Sequence, residues 1–226
     1  MAITEIGMFG WCDLVATQDK AAIDFYTKVF PWKAEDVPSP MGGTYHFMKA
    51  GEKTVGGIVT QHKDPKLSHS QWLSYFLVED IKQTTAKVEK LQGKILDAPF
   101  EVGEYGYSAR IQDPTGASLC LWQSKAGPRT EKFCEEKEGN FCWTELLTNN
   151  TDVAGKFYCD LFGWTPESMK VAEHLPPYTV FKKNGVPSCG MMAIQKEMGK
   201  VPSHWMPYVF VNNCDATLNK ARQAGG

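Results

Sequence analysis

The sequence predicts an α+β protein in which two tandem domains are each built from paired β-α-β-β-β modules, the second domain being incomplete at its C-terminus. Two observations support this prediction. Aromatic, acidic and glycine residues recur at a spacing of 132 or 133 residues, and strand and helix patterns follow one another in the same order twice within the first copy. A supersecondary unit that recurs at a fixed spacing indicates a duplicated domain.

The repeat is dense at positions that rarely agree by chance. The matching residues are Trp11 and Trp143, Asp13 and Glu145, Phe25 and Phe157, Tyr26 and Tyr158, Trp32 and Trp164, Tyr45 and Tyr178, Gly57 and Gly190, Trp72 and Trp205, Tyr75 and Tyr208, and Gly93 and Gly226. A duplication creates a surface shared by two like halves, and a binding site is expected at such a surface.

The first module reads as a strand, a helix and three further strands. Residues 8–16 carry an aromatic and β-branched run, and the helix that follows, near residues 20–30, places its apolar residues at helical spacing. Short strand-like segments follow around 33–37, 44–49 and 54–61, separated by turn-forming Pro and Gly residues.

The second module repeats this order within the first copy. A strand over 71–78 precedes a helix from Glu79 to Leu91, and further strands are predicted near 95–102, 106–112 and 117–123. The polar and turn-rich residues 124–138 read as a linker. We therefore predict a first domain over 1–123 and a second over 139–226.

The second copy stops at Gly226, the counterpart of Gly93. After Gly93, the first copy continues for about 30 residues, from Lys94 to Gln123, which add three more strands. A sheet without those strands would expose a long unpaired edge, which natural proteins avoid. The expectation is either a truncated sequence or a second chain that supplies the missing edge.

The composition is that of a globular protein, and the formal net charge of −2 provides no basic surface for a phosphate backbone. We therefore expect no nucleic-acid partner. The N-terminus lacks the features of a signal peptide, and no apolar stretch reaches the about 18 residues of a membrane span. These observations predict a cytoplasmic protein without a membrane partner, either a monomer with an internal pseudo-dimer or a homodimer.

Two motifs resemble those of a known family. The spacing Ala-x-x-Phe-Tyr-x-x-x-Phe-x-Trp occurs after a strand between Gln18 and Trp32 and again between Asp152 and Trp164, and Asp113–Ala117 (DPTGA) precedes the last strand of the first copy. With these motifs the whole chain resembles the vicinal oxygen chelate superfamily, also called the glyoxalase, bleomycin-resistance and extradiol dioxygenase superfamily. The resemblance implies the fold more strongly than the reaction, because this fold hosts many activities.

Metal-dependent members of this superfamily carry His or Glu ligands on the first and last strands of each module. The resemblance places these ligand positions at Trp11, within Gly57–Val59, at Leu73 and at Cys120, and then at Trp143, within Gly190–Met192 and at Met206. None of them holds His or Glu, so no metal and no cofactor are expected. The five His residues, none of them at a ligand position, are His46, His62, His69, His174 and His204.

The residues that replace the ligands indicate a different kind of site. Because residues two apart on a strand share a face, Trp11 points with Asp13, Trp143 with Glu145, and Cys120 with Trp122. The predicted ligand-binding residues are Trp11, Asp13, Tyr75, Cys120, Trp122, Trp143, Glu145 and Tyr208. The alternative is that the Trp residues fill the core and that each indole N–H binds a buried carboxylate.

Three functions are compatible with these residues. The first is a protein of the bleomycin-resistance type that binds a small aromatic or cationic molecule in a metal-free cup, the concave surface that the curved sheet of this fold forms. The second is a lyase- or isomerase-type enzyme that acts on a small carbonyl or aromatic metabolite, with Asp13 or Glu145 as general acid or base. The third is a stress or interaction protein whose cup is filled by its own side chains.

Overall fold

The computed structural model describes residues 6–60, 69–127, 132–172 and 176–226. Within these residues, thirteen strands form one sheet of eight and one sheet of five, and four α-helices accompany them. The α+β class predicted from the sequence is confirmed. None of the helices in the described parts of the chain has the length and apolarity that crossing a bilayer requires.

The chain divides into two compact units. The larger unit contains Met1–Gly10, Ser74–Lys132 and Trp143–Met206, and the smaller unit contains Trp11–Leu73, Phe133–Cys142 and Pro207–Gly226. The larger unit therefore combines the second module of copy one with the first module of copy two. The domain boundaries set by the repeat, 1–123 and 139–226, stay a prediction, and residues 128–131 of the predicted linker lie outside the described residues.

The smaller unit contains the first β-α-β-β-β module. Its elements are β1 (Phe9–Ala16, from Trp11 onwards), α1 (Asp19–Val29), β2 (Trp32–Pro38), β3 (Thr44–Ala50), β4 (Lys53–Thr60) and the C-terminal helix α4 (Cys214–Gln223). The strands follow the order β2-β3-β4-β1, in which β1 and β4 are parallel and the other neighbours are antiparallel. Met48 on the alternating strand β3, and Val55 and Ile58 on the continuously buried middle of β4, belong to its core.

The larger unit contains two modules in succession. The first comprises most of β5 (Gln71–Leu77), then α2 (Ile81–Lys90), β6 (Lys94–Val102), β7 (Gly106–Gln112) and β8 (Ser118–Ser124). The second comprises most of β9 (Phe141–Thr148), then α3 (Thr151–Phe162), β10 (Thr165–Met169), β11 (Tyr178–Lys183), β12 (Val186–Ala193) and the start of β13 (His204–Val209). The strand orders are β5-β8-β7-β6 and β10-β11-β12-β9.

An aromatic cluster forms the centre of the larger unit. Phe76 is fully buried, and its ring lies 5.4 Å from those of Phe162 and Trp164 and 5.0 Å from that of Trp205. The hydroxyl of Tyr158, also fully buried, accepts a hydrogen bond from the indole N–H of Trp205 at 3.0 Å. This bond satisfies the one polar atom of the Trp205 side chain inside an apolar core.

In the smaller unit, a carboxylate at the start of α1 connects the helix to the sheet. Asp19 Oδ2 accepts a hydrogen bond from Thr60 Oγ1 at 2.5 Å and lies 3.4 Å from Nε2 of the buried His46. The Thr60 hydrogen bond is the largest cause that lowers the pKa of Asp19 below its ordinary value, and contact with His46 acts in the same direction. Ionised Asp19 is thus the form that the fold prefers.

Thr60→Val should therefore destabilise the protein more at neutral pH than in acid. A lowered pKa contributes stability above the pKa of the unfolded chain, about 3.9 for Asp, and this contribution is lost as the pH falls through the folded-state value. Urea unfolding at pH 6 and pH 3 measures the effect, with Thr54→Val on the same strand as the matched control. An equal effect of Thr60→Val at both pH values would contradict the assignment.

Candidate functional site

In the smaller unit, three side chains form a closed hydrogen-bonded triangle. The indole Nε1–H of Trp11 donates to Asp13 Oδ1 at 2.8 Å and to the Tyr45 hydroxyl at 3.1 Å. The Tyr45 hydroxyl donates to the same Asp13 Oδ1 at 2.6 Å. Asp13 is 7% exposed, so the triangle holds a carboxylate in a site that water scarcely reaches.

Burial and charge keep the Tyr45 hydroxyl protonated. The pKa of Tyr45 is raised well above its ordinary value, first by burial and second by the negative charge of Asp13. Because the neutral phenol keeps its proton, it serves as a donor to the carboxylate.

Aromatic rings surround this triangle within the same unit. The ring of Phe47 lies 6.2 Å from that of Trp11 in a T-shaped arrangement and 4.8 Å from that of Tyr45. The ring of Phe133 lies 5.8 Å from that of Trp11. The hydrogen bonds therefore form in an aromatic environment, where they are electrostatically stronger than in water.

The triangle depends on a glycine in the neighbouring strand. Gly57 on β4 pairs with Asp13 on β1 and with Phe47 on β3. A Cβ atom at position 57 would lie 1.9 Å from the Tyr45 hydroxyl oxygen and 2.5 Å from Asp13 Oδ1. Both distances are shorter than any real contact, so the Tyr45 hydroxyl and a side chain at position 57 exclude each other.

The Trp–Tyr bond and the close approach of the tyrosine to a glycine recur in the larger unit. The indole Nε1–H of Trp143 donates to the Tyr178 hydroxyl at 2.9 Å. Gly190 on β12 pairs with the buried Glu145 on β9, and a Cβ atom at position 190 would lie 1.8 Å from the Tyr178 hydroxyl oxygen. We call Trp11, Asp13, Tyr45 and Gly57, and likewise Trp143, Glu145, Tyr178 and Gly190, the two Trp–acid–Tyr–Gly groups.

The structure distributes the site residues predicted from the sequence over both units. Trp11, Asp13 and Tyr208 belong to the smaller unit, whereas Tyr75, Cys120, Trp122, Trp143 and Glu145 belong to the larger one. Tyr75 and Cys120 are paired neighbours on β5 and β8. Cys120 is buried, Tyr75 and Trp122 are half-buried, and Tyr208 is exposed.

Trp122 also lines an open cavity of about 500 Å³ within the larger unit. The cavity lies where the parallel strands β5 and β8 end, and its walls include Leu77, Val78, Glu79 and Lys183. The Lys183 ammonium donates to the Phe162 carbonyl at 2.6 Å, at the end of α3. A cavity of this volume is in the range that holds a small organic molecule.

Sequence reasoning missed Tyr45, Tyr178, Gly57 and Gly190 as site residues. The signal was present, because both pairs appear among the residues that the duplication preserves. The sequence did not reveal that the Tyr45 hydroxyl reaches over Gly57 to Trp11, or that the Tyr178 hydroxyl reaches over Gly190 to Trp143. Each contact joins different strands of the module.

With this geometry established, comparison with known proteins identifies the family. The model of the Glyoxalase/Bleomycin resistance protein/Dioxygenase superfamily matches residues 8–121, half of the chain. The chain belongs to this superfamily.

Two curated relatives match nearly the whole chain. "Putative glyoxylase CFP32" of Mycobacterium tuberculosis (strain CDC 1551 / Oshkosh) is 34% identical over 222 residues, which cover 97% of this chain and 83% of the relative. "Anthracycline biosynthesis protein DnrV" of Streptomyces peucetius is 28% identical over 236 residues, which cover 97% of this chain and 82% of the relative.

Solved structures show the same fold at low sequence identity. The Mn(II)-bound glyoxalase from Novosphingobium aromaticivorans matches with a TM-score of 0.57 at 12% identity, over 98% of this chain and 71% of that one. The 2,2',3-trihydroxybiphenyl 1,2-dioxygenase from Sphingomonas wittichii strain RW1 matches with a TM-score of 0.61 at 12% identity, over 97% and 78% respectively. These likenesses establish the fold, not the reaction.

The superfamily includes metal-bound members, so the fit of a metal to this chain is a separate question. The expected ligand positions hold Trp11, Gly57, Leu73, Cys120, Trp143, Gly190 and Met206 or their immediate neighbours. Such residues do not provide the imidazole and carboxylate set that divalent ions need. In the described ranges no three His, Cys, Asp or Glu side chains cluster closely enough to hold an ion.

His46 and His204 do not supply the missing ligands at these positions. His46 Nδ1 lies 2.7 Å from Asp36 Oδ1, on the β2–β3 pair of the smaller unit, and His204 Nδ1 lies 2.8 Å from the Pro202 carbonyl. His62 and His174 lie outside the described residues. The residues at the ligand positions that the resemblance implies therefore do not fit a metal.

Proposed function

We propose that this superfamily member binds a small aromatic or cationic molecule and that the Trp–acid–Tyr–Gly groups recognise it without a metal. One observation carries the proposal: both copies place an indole at the first ligand position that the resemblance implies, a buried acid two residues further along the strand, and a tyrosine hydroxyl bonded to the indole. An indole face stacks on flat rings and attracts cations, and a carboxylate adds negative charge. Trp11 and Trp143 are half-buried, so neither ring is enclosed by the protein.

The names of two relatives point to the same ligand class. DnrV and the DauV protein of Streptomyces sp. (strain C5) are both named anthracycline biosynthesis proteins. Anthracyclines are flat aromatic compounds that carry an amino sugar. A molecule of this chemistry would use both the stacking surface and the acidic group.

Titration with doxorubicin, an anthracycline, tests the proposal. We expect saturable quenching of its fluorescence with a Kd on the order of micromolar, unchanged after treatment of the protein with EDTA. The aglycone, which lacks the amino sugar, is the matched control and should bind more weakly because it lacks the charge. Absence of saturable binding, or binding that EDTA abolishes, would contradict the proposal.

An enzyme of the same superfamily is the second candidate, favoured by the glyoxylase name of CFP32. Asp13 or Glu145 would then act as general acid or base on a small carbonyl or aromatic metabolite. Turnover of small carbonyl compounds that is lost in both Asp13→Asn and Glu145→Gln would favour this function over binding.

A self-filled cup is the third candidate, favoured by the hydrogen bond between Trp11 and Asp13. Acrylamide quenching of Trp fluorescence distinguishes it, because a filled cup would shield Trp11 and Trp143 from the quencher.

We further propose a cytoplasmic monomer or homodimer that binds no nucleic acid, consistent with the near-neutral net charge.

A further inference from the structure

We infer that Tyr45 and Tyr178 are the positioning residues of the two Trp–acid–Tyr–Gly groups, and that each hydroxyl occupies the space into which a metal-ligating side chain would project. The inference about the geometry stands on the contacts within each unit. Its consequence for ligand affinity rests on the proposed function.

The strand register brings the acid, the glycine and the tyrosine of each group together in the same way. Asp13 pairs with Gly57 and Glu145 pairs with Gly190, in each case between parallel strands. Across the antiparallel pairs, Gly57 faces Phe47 and Gly190 faces Val180. Each tyrosine lies two residues before the partner of its glycine and therefore shares that partner's face of the sheet.

The tyrosine hydroxyl and a side chain at the glycine position exclude each other. The hydroxyl oxygens lie 1.9 Å and 1.8 Å from where Cβ atoms would stand at Gly57 and Gly190. The superfamily resemblance places a metal ligand within Gly57–Val59 and within Gly190–Met192. In this chain a Tyr–Gly pair takes that place, so a larger residue at either glycine requires the tyrosine to leave.

The hydroxyl replaces a metal ligand with a hydrogen-bonding group. In the smaller unit, Tyr45 donates to Asp13 and accepts from Trp11, which fixes the indole and the carboxylate relative to each other. In the larger unit, Tyr178 accepts the indole N–H of Trp143. The two copies therefore share the Trp–Tyr bond, and removing the hydroxyl should free each indole to change its orientation.

A double-mutant cycle tests whether the tyrosine hydroxyl and a side chain at the glycine position exclude each other. We expect Gly57→Ala to lower the urea midpoint strongly in the natural background and less in a Tyr45→Ala background, where the clash with the tyrosine is absent and only the 2.5 Å approach to Asp13 Oδ1 remains. The matched control is Gly57→Ala in a Tyr178→Ala background, where its effect should be unchanged. Gly190→Ala should show the reciprocal pattern. Equal effects of Gly57→Ala in all backgrounds would overturn the inference.

Tyr→Phe variants test the positioning role, since the ring is kept and only the hydroxyl is lost. In ¹H–¹⁵N spectra of the indole groups, Tyr45→Phe should shift the Trp11 signal and Tyr178→Phe the Trp143 signal, each leaving the other in place. The shift for Trp143 should be the larger, because Trp11 keeps its bond to Asp13. An unmoved indole signal in a folded variant would overturn the positioning role.

The ligand readout separates this inference from the proposed function. Each Tyr→Phe variant should weaken doxorubicin binding about tenfold in its own unit, as expected for the loss of one buried hydrogen bond. If the natural protein does not bind doxorubicin, the proposed function fails, and the cycle and the indole spectra still decide the inference. If binding is strong and neither variant weakens it, the tyrosines do not position the ligand site.

Discussion

Asp113→Ala should lower the free energy of unfolding by about 3–5 kcal/mol, the largest stability effect we expect from a single polar substitution. Asp113 is 3% exposed and lies in the turn between β7 and β8. Its Oδ1 accepts from Thr115 N and Thr115 Oγ1, both at 2.7 Å, and from Ala117 N at 3.1 Å, while its Oδ2 accepts from the Tyr158 hydroxyl at 2.9 Å.

The cost is large because the partners of Asp113 lose their acceptor inside the core. The Tyr158 hydroxyl is fully buried, and a buried donor left without a partner costs about 1–3 kcal/mol. Urea unfolding measures the effect. The matched control is Asp160→Ala, whose exposed ion pair with Lys156 should contribute little to stability. Equal losses of unfolding free energy in the two variants would show that Asp113 does not hold the β7–β8 turn to α3.

Trp143→Leu should weaken doxorubicin binding about ten- to thirtyfold in the larger unit, the largest effect we expect on the proposed function. Leucine keeps an apolar side chain but removes the indole face, and stacking with cation–π attraction is worth about 1.5–2 kcal/mol. Trp11→Leu should act in the same way in the smaller unit. Together the two substitutions should abolish saturable binding.

Isothermal titration of the single and double variants measures the affinity and the number of sites. The matched control is Tyr105→Leu, an exposed aromatic residue outside both Trp–acid–Tyr–Gly groups, which should leave the affinity unchanged. A double variant that binds as tightly as the natural protein would contradict the role of both Trp residues, even if the protein binds doxorubicin elsewhere.

The elements of the fold could be predicted closely from the sequence, because they follow local patterns. The helix predicted from Glu79 to Leu91 is observed as Ile81–Lys90, starting after an Asp80 cap whose side chain accepts from Gln83 N. The predicted strand 106–112 is observed at the same residues. Period and capping residues are properties of a few neighbouring positions, and a single sequence displays them directly.

The site could be predicted only in part. The two-residue spacing of Trp11 and Asp13 placed both on one face of β1, and the structure joins them with a hydrogen bond. The role of Tyr45 depends on the register between β3 and β4, which local periodicity does not determine. The division into units depends on contacts between distant segments, so the repeat could not indicate which modules form one compact body.

That division has a consequence for the order in which the protein can be completed during synthesis. The larger unit takes its last residues from the segment that ends at Met206, so it can close before Pro207–Gly226 has been made. The smaller unit joins Trp11–Leu73, made early, to Pro207–Gly226, made much later. The contacts between α1 and α4 therefore span a long sequence separation, and such contacts form slowly.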